Sequence, residues 1–118
     1  MIEITTKFKS CFEDETLQRE TINFKTENGQ DLGQVVLRQL KRGEITELAD
    51  KSAEEYLIKC IESWTFLKDS KPLELNLENL KLLSSTKKVG NEYSLGIIDN
   101  LFKIAVEMNL VSSVEEKN

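Results

Sequence analysis

The side chains that most often do chemistry in enzymes are scarce in this sequence. Its 118 residues contain no histidine, which excludes Ser-His-Asp and Cys-His nucleophilic sites and every zinc site that uses histidine. The two cysteines, Cys11 and Cys60, lie far apart, and neither belongs to a CxxC pair, so no metal knuckle or redox pair is predicted. Cys60 stands among apolar residues at helical spacing, which predicts a buried thiol, and we expect a partly exposed thiol at Cys11.

Carboxylates are plentiful, but their arrangement does not favour catalysis. General acid–base work needs carboxylates held in a cleft with shifted pKa values, and sequence neighbours on a helix do not face each other. The acidic run Glu13–Glu15 with Asp31 lacks the regular ligand spacing around a glycine that hard-cation loops use. The sequence also has no GxxxxGK[ST] or GxGxxG phosphate loop. We therefore predict a protein that is not an enzyme, with no catalytic residue, no metal site and no cofactor. Such neighbouring carboxylates occur at Asp14-Glu15, Glu54-Glu55 and Glu115-Glu116.

The charge balance argues against nucleic acid as a partner. Sixteen Lys and Arg against 21 Asp and Glu give a net charge of −5, whereas phosphate binding relies on clustered basic residues. Arg38, Lys41 and Arg42 could form a local basic patch, but a solvated strand end is the preferred interpretation. No apolar run reaches the ~18 residues of a membrane span, and the N-terminus has no secretory signal pattern. We expect a soluble cytoplasmic protein that binds neither nucleic acid nor membrane.

The first part of the chain has the alternation that is typical of strands. Ile2–Phe8 and Thr21–Thr26 alternate apolar with polar residues. Asn28-Gly29 follows, and this dipeptide predicts a tight hairpin turn in which both central residues have positive φ. The returning strand is expected within Leu32–Leu37, although residues 34–42 could instead begin a helix.

After Gly43 the pattern becomes helical. Glu44–Asp50 predicts a short helical turn, and Ser52 with Glu55 forms a capping box that opens a longer helix ending near Phe66 or Leu67. Lys68–Pro72 has the composition of a turn. One apolar stripe is expected along the longer helix, made of Tyr56, Leu57, Cys60, Ile61 and Trp64.

Two further helices are predicted. Asn76 can cap a short helix over Leu77–Leu83, and a last helix is expected over Glu92–Leu110 after a polar loop over Ser84–Gly90. Gly96 would lie inside that last helix, where it costs about 1 kcal/mol against alanine and indicates a close helix contact. The apolar face of the last helix is predicted to contain Leu95, Ile98, Leu101, Phe102, Ala105 and Met108.

These elements predict an α+β fold in a single domain over residues 1–118. A small N-terminal antiparallel sheet or hairpin (1–43) precedes a helical part of three to four helices (44–110), and residues 111–118 form a flexible tail.

The residues around Trp64 are the strongest candidates for a binding surface. Trp64 itself belongs to the apolar stripe, and a core position is the simpler interpretation. The alternative is that Trp64, Leu67, Pro72 and Leu73 line a groove for a partner helix, since tryptophan is enriched at binding hot spots. Both interpretations hold together if the ring is half core and half groove.

Two segments resemble the phage tail assembly chaperone family of long-tailed phages and prophages. Ser63–Leu80 is similar to a family segment in which a helix ends in tryptophan, an Asp-Gly-Lys-Pro-Leu-Pro type turn follows, and a short Glu- and Leu-containing helix comes next. Val36–Ile45 is similar to the family's strand-to-helix junction. The two segments cover about a quarter of the chain. Ser70 and Glu74 stand here where the family usually has glycine and the second proline.

The resemblance implies an assembly factor that binds the tape-measure protein, keeps it soluble and helps to recruit tail-tube subunits. It also implies a location in the host bacterial cytoplasm and absence from the mature virion. Trp64, Leu67, Pro72 and Leu73 would then lie at or near the client surface, and self-association is left open.

Two other classes remain open from the sequence. One is a structural tail or head-tail completion protein that stays in the virion. The other is a small helix-turn-helix regulator, suggested by the successive C-terminal helices, although Glu92–Leu110 carries only one basic residue, Lys103.

Overall fold

The α+β fold class is confirmed: an N-terminal antiparallel sheet is followed by helices. A computed structural model describes residues 1–4 and 8–110, and the tail predicted over 111–118 lies outside these residues. The strands are β1 (Arg19–Lys25), β2 (Asp31–Arg38), β3 (Ile61–Trp64), β4 (Leu67–Lys68), β5 (Lys71–Pro72), β6 (Lys87–Val89) and β7 (Glu92–Ser94). The helices are a 3-10 turn (Glu13–Glu15), α1 (Arg42–Glu47), α2 (Ala53–Cys60), α3 (Leu77–Leu80) and α4 (Ile97–Asn109).

The predicted hairpin of β1 and β2 is present, but its turn differs from the expected one. The strands pair antiparallel, with Ile22 opposite Val35. Of the two residues Asn28 and Gly29, Gly29 alone has a positive φ, of 84°. The Gly29 N–H donates to the Thr26 carbonyl at 2.9 Å. A turn over Thr26–Gly29 whose last residue is left-handed, followed by a register shift, is the longer hairpin connection that glycine favours. The expectation of two positive-φ residues was therefore wrong.

The first predicted strand is not formed in the described residues. Ile2, Ile4 and Phe8 are exposed and belong to no helix or strand. Residues 5–7 of this prediction lie outside the described part of the chain. Alternation alone does not make a strand, because a strand also needs a neighbour to complete its hydrogen bonds.

The longer helix ends six residues earlier than predicted. Ser52 caps α2 as expected, its Oγ accepting from the Glu55 N–H at 3.1 Å. Ile61 is extended, however, and β3 pairs with β2, so that Ile61 lies opposite Leu37 and Trp64 opposite Val35. The free edge of β2 satisfies the backbone groups of this β-branched and aromatic segment, and this long-range pairing overrides the local helical pattern. The sheet order is β1-β2-β3.

The core lies between one face of this sheet and helices α2, α3 and α4. Cys60 is fully buried, as predicted. The Asn76 cap of α3 is also confirmed, since its Oδ1 accepts from the Asn79 N–H at 2.8 Å. The buried hydrophobic residues are Val35, Leu37, Leu40, Leu57, Cys60, Ile61, Phe66, Leu80, Leu101 and Ala105.

The last helix starts later than predicted, because a hairpin precedes it. Residues predicted as a loop and a first helical turn form β6 and β7, and α4 begins at Ile97. Gly96 lies at the N-cap position, where an added Cβ would clash with the backbone of Ser85. A close contact at Gly96 is thus present, but with a loop rather than a helix. Leu95 lies outside α4 and is exposed.

Candidate functional site

The four residues predicted to bind a partner lie next to one another. Leu67 and Pro72 are directly opposed across the β4–β5 hairpin. The Trp64 Nε1–H donates to the Leu73 carbonyl at 2.6 Å, which ties the end of β3 to the residue after β5. We call Trp64, Leu67, Pro72 and Leu73 the Trp64 surface. Trp64 belongs to β3 rather than to a helix end, and it is half-buried, which agrees with a ring that is part core and part surface.

The β4–β5 hairpin turns through two residues without glycine. Asp69 and Ser70 have φ values of 53° and 65°, so both occupy the left-handed region that a two-residue turn of this hand requires. A side chain in that region costs about 1 to 2 kcal/mol per residue relative to glycine. Other contacts must therefore hold the hairpin in place.

Proline fits β5 because of the alternation of the ladder. The pair that closes a two-residue loop exchanges hydrogen bonds, so the next pair, Leu67 and Pro72, does not. The following pair bonds again, since the Leu73 N–H donates to the Phe66 carbonyl at 2.9 Å. The missing N–H of Pro72 faces outward, where it removes a donor from the free edge of the hairpin.

A cluster of aromatic rings packs next to the β4–β5 hairpin and supports it. The buried Phe66 ring lies 5.5 Å from the Trp64 ring and 6.1 Å from the Phe24 ring, measured between centroids. Gly33 leaves the space for this ring: its φ is 144°, and an added Cβ would lie 2.6 Å from Phe66 Cδ1. The cluster fixes the start of β4 against the sheet, so the Trp64 surface is held in one arrangement.

The possible basic patch around Arg38 is largely neutralised. The Arg38 guanidinium donates two parallel hydrogen bonds to the Glu44 carboxylate, at 2.9 and 2.8 Å. This hydrogen-bonded pair lowers the pKa of Glu44 to about 2 and raises the pKa of Arg38. Lys41 Nζ lies 2.6 Å from the Asp14 carboxylate, whose hydrogen bond raises the pKa of Lys41. The two-bond pair with Glu44 occupies the donors by which Arg38 would bind a phosphate in the same two-bond way.

Cys60 is placed for packing rather than for nucleophilic chemistry. Burial raises the pKa of its thiol to about 11, so the thiol is protonated at neutral pH. The neighbouring Asn109 side chain is bonded to the backbone: its Nδ2 donates to the Ala105 carbonyl at 2.8 Å, and its Oδ1 accepts from the Leu40 N–H at 2.7 Å. Within residues 1–4 and 8–110, no group of three or more His, Cys, Asp or Glu could hold a metal ion.

Two clefts lie away from the Trp64 surface. One of about 400 Å³ lies between the first turns of α2 and α4, with Leu57, Leu83 and Phe102 among its walls. The other, of about 520 Å³, lies between α1 and the end of α4. The Trp64 surface is therefore an exposed surface beside a hairpin and is separate from both clefts.

The second exposed hairpin, β6–β7, was not predicted from the sequence. All six of its strand residues are exposed. Its signal was present, because the dipeptide Gly90-Asn91 between two short β-prone runs indicates a two-residue hairpin. Gly90 has a φ of 64°, which this turn requires at its first central position. The same hairpin separates α3 from α4, whereas a helix-turn-helix joins its two helices by a turn of about three or four residues.

Comparison with known proteins identifies no relative: no family model matches the chain, and neither a curated protein nor a solved structure matches it. The resemblance to tail assembly chaperones stays a prediction that depends on Ser63–Leu80 and Val36–Ile45. In the described part of the chain, no helix is both long enough and apolar enough to cross a membrane.

Proposed function

We propose that the protein is a phage tail assembly chaperone that is not an enzyme. In this proposal it binds the tape-measure protein in the host cytoplasm, keeps it soluble, helps to recruit tail-tube subunits and is absent from the mature virion. The Trp64 surface is its client surface. The observation that carries the proposal is that Leu67 and Pro72 pair across the braced β4–β5 hairpin, while the Trp64 ring is hydrogen-bonded to Leu73 directly beside it.

The exposure of Leu67 supports a role in binding. Its side chain is 64% exposed, although it lies directly opposite Pro72 and next to the buried Phe66. Exposed apolar side chains beside an aromatic ring can accept the apolar stripe of an amphipathic helix, which places anchors at i, i+3, i+4 and i+7. Trp64 contributes a large ring whose polar atom is already satisfied by Leu73, so binding at this ring leaves no polar group unpaired.

Charge also fits the proposal. Lys68 and Lys71 alternate with Leu67 and Pro72 along the hairpin, so the lysines project from its opposite face, to which Leu73 also belongs. The face that carries Leu67 and Pro72 has no charged residue of the hairpin strands. The net charge of −5 keeps a complex with a less soluble partner in solution. Arg38 and Lys41 are each paired with a carboxylate, which lowers the local positive charge available to a nucleic acid.

A binding experiment with matched variants tests the proposal. The purified full chain is titrated with a helical fragment of the tape-measure protein from the same phage. Leu67→Glu should weaken binding by about thirtyfold, the value of a hot spot of about 2 kcal/mol. Leu82→Glu is the control, because Leu82 is 56% exposed and lies after α3, outside the Trp64 surface. Both variants should keep the circular dichroism and the urea midpoint of the parent chain.

Equal binding by the two variants would refute the assignment of the surface. Failure of the parent chain to bind any tape-measure fragment would refute the function itself. Two independent observations bear on the rest of the proposal: a tube-protein gene upstream with a long helical reading frame downstream, and absence of the protein from purified particles by mass spectrometry.

A further inference from the structure

The β6–β7 hairpin is hydrogen-bonded to the domain at its base, and its strand residues are all exposed. Ser84 and Thr86 hold the base: the Ile97 N–H donates to Ser84 Oγ at 3.1 Å, and the Gly96 N–H donates to Thr86 Oγ1 at 3.0 Å. The carboxylate of Asp99 accepts from the Thr86 N–H. These contacts fix the direction in which the hairpin leaves the domain. The strands themselves contribute no buried residue.

Such a hairpin needs a partner to be stable. A two-stranded hairpin alone is marginal in water, and this one exposes two large apolar side chains, Val89 and Tyr93, with Leu95 exposed directly after β7. Tyr93 is 68% exposed at the middle of β7. Both outer edges of the hairpin carry backbone groups that can extend the sheet.

The two edges differ in charge, and this difference favours β7 as the edge that pairs with a second copy of itself. The edge formed by β6 carries Lys87 and Lys88, so antiparallel pairing of two β6 strands centred on Lys88 would oppose like charges. Lysines on an edge strand are a common protection against such pairing. The edge formed by β7 is Glu92-Tyr93-Ser94, which can pair with itself without opposing two like charges.

The register of the self-pairing follows from the turn. Val89 and Glu92 close the two-residue loop and exchange hydrogen bonds, so Lys88 and Tyr93 form the next, non-bonded pair. The N–H and C=O of Tyr93 therefore point away from β6, towards the open edge. In a two-fold symmetric antiparallel pair, each Tyr93 N–H can donate to the Tyr93 carbonyl of the other copy.

We propose that the β7 edge joins two copies of this chain into a symmetric dimer with a four-stranded sheet ordered β6-β7-β7-β6. The two Tyr93 residues face each other at the two-fold axis, and Glu92 of each copy lies opposite Ser94 of the other. Lys88 lies on the same face as Tyr93, so the ammonium groups flank the aromatic pair. The occupant of this edge is a second copy because the strand is complementary to itself in sequence. The proposal does not depend on the proposed function.

Sedimentation of the full chain over a wide range of concentration tests the dimer. The parent chain should form a dimer as its concentration rises. Tyr93→Pro removes the outward N–H while leaving the hydrogen bonds within the hairpin, so it should weaken dimerisation by more than about tenfold. Tyr93→Thr keeps the N–H and introduces a β-branched side chain that favours strands, so it should weaken dimerisation less. A parent chain that stays monomeric at all concentrations overturns the proposal, as does a dimer that Tyr93→Pro leaves unchanged.

Cross-linking supplies the second measurement and does not require Tyr93→Pro to fold. In a Cys11→Ser background, Tyr93→Cys should form an intermolecular disulfide under mild oxidation. The Cα atoms of a hydrogen-bonded pair lie about 5.5 Å apart, which is within the range of a disulfide. Lys88→Cys is the control, since three strand spacings, or about 14 Å, would separate the two copies of this residue. Cross-linking of Lys88→Cys without Tyr93→Cys would place the interface at β6 and overturn the proposal.

Discussion

The two small hairpins of this protein have opposite constructions. β4–β5 has a glycine-free turn, with Asp69 and Ser70 both left-handed, and is braced by the buried ring of Phe66. β6–β7 has Gly90 in its turn and is bare along both strands. Tertiary contacts thus compensate for unfavourable turn residues in the first hairpin, whereas the second has a favourable turn and is held by the domain only at its base.

The hairpins also differ in what they can offer a partner. Pro72 takes a donor away from the edge of β4–β5, so this hairpin presents side chains. Tyr93 has both backbone groups directed outward, so β6–β7 presents a strand edge. The proposals therefore place a client helix at the first hairpin and self-pairing at the second.

Removal of the brace should have the largest effect. Gly33→Ala places a Cβ against the Phe66 ring at a φ that side chains rarely adopt. We expect a loss of about 4 kcal/mol in the free energy of unfolding, from overpacking and backbone strain together. Urea denaturation followed by the fluorescence of Trp64, the only tryptophan, measures it. Gly43→Ala is the control, because a Cβ there meets nothing within 4 Å. Equal stability of the two variants would show that the ring does not brace the hairpin.

Acid should weaken the fold through a contact that belongs to neither hairpin. The pKa of Glu44 falls from 4.5 to about 2 on folding, so its pair with Arg38 stabilises the fold above pH 4.5. That contribution, about 3 kcal/mol at most, is lost as the pH falls from about 5 to 2. Glu44→Gln should therefore show a smaller fall in the free energy of unfolding over this range. If the free energy of unfolding fell equally in the parent chain and in Glu44→Gln, the pair would not be the source of the acid sensitivity. The aromatic brace contains no titrating group and cannot contribute to it.

Glycine substitutions at the two turns should have the smallest effects, with opposite signs. Ser70→Gly relieves a left-handed residue and should stabilise the protein by about 1 kcal/mol, whereas Gly90→Ala introduces one and should destabilise the hairpin by a similar amount. Thermal unfolding measures the first. Amide exchange in β6–β7 measures the second, because that hairpin can open without unfolding the core. Effects of the same sign would contradict the contrast between the turns.

Local signals in the sequence predicted the elements whose backbone hydrogen bonds are made with residues close by in the sequence. The caps at Ser52 and Asn76 and the β1–β2 hairpin are of this kind, and all three are present. The α+β class followed from them. The four residues of the Trp64 surface lie close together, because Pro72 and the turn before it keep them close along the chain, and their role in binding stays a prediction.

Features that depend on distant partners could not be predicted in this way. Residues 61–64 continue the apolar pattern of α2, and only the free edge of β2 makes them a strand. The role of Gly33 depends on a ring 33 residues further along the chain. The β6–β7 hairpin was hidden because the apolar residues before Ile97 match the period of the helix that follows.

The comparison between the hairpins is tested most directly by hydrogen exchange of the full chain, with and without the tape-measure fragment. Bound fragment should slow exchange in peptides that cover residues 66–73 and leave residues 87–94 unchanged at a protein concentration where the chain is monomeric. Protection at 87–94 with none at 66–73 would contradict the assignment of the client to the Trp64 surface.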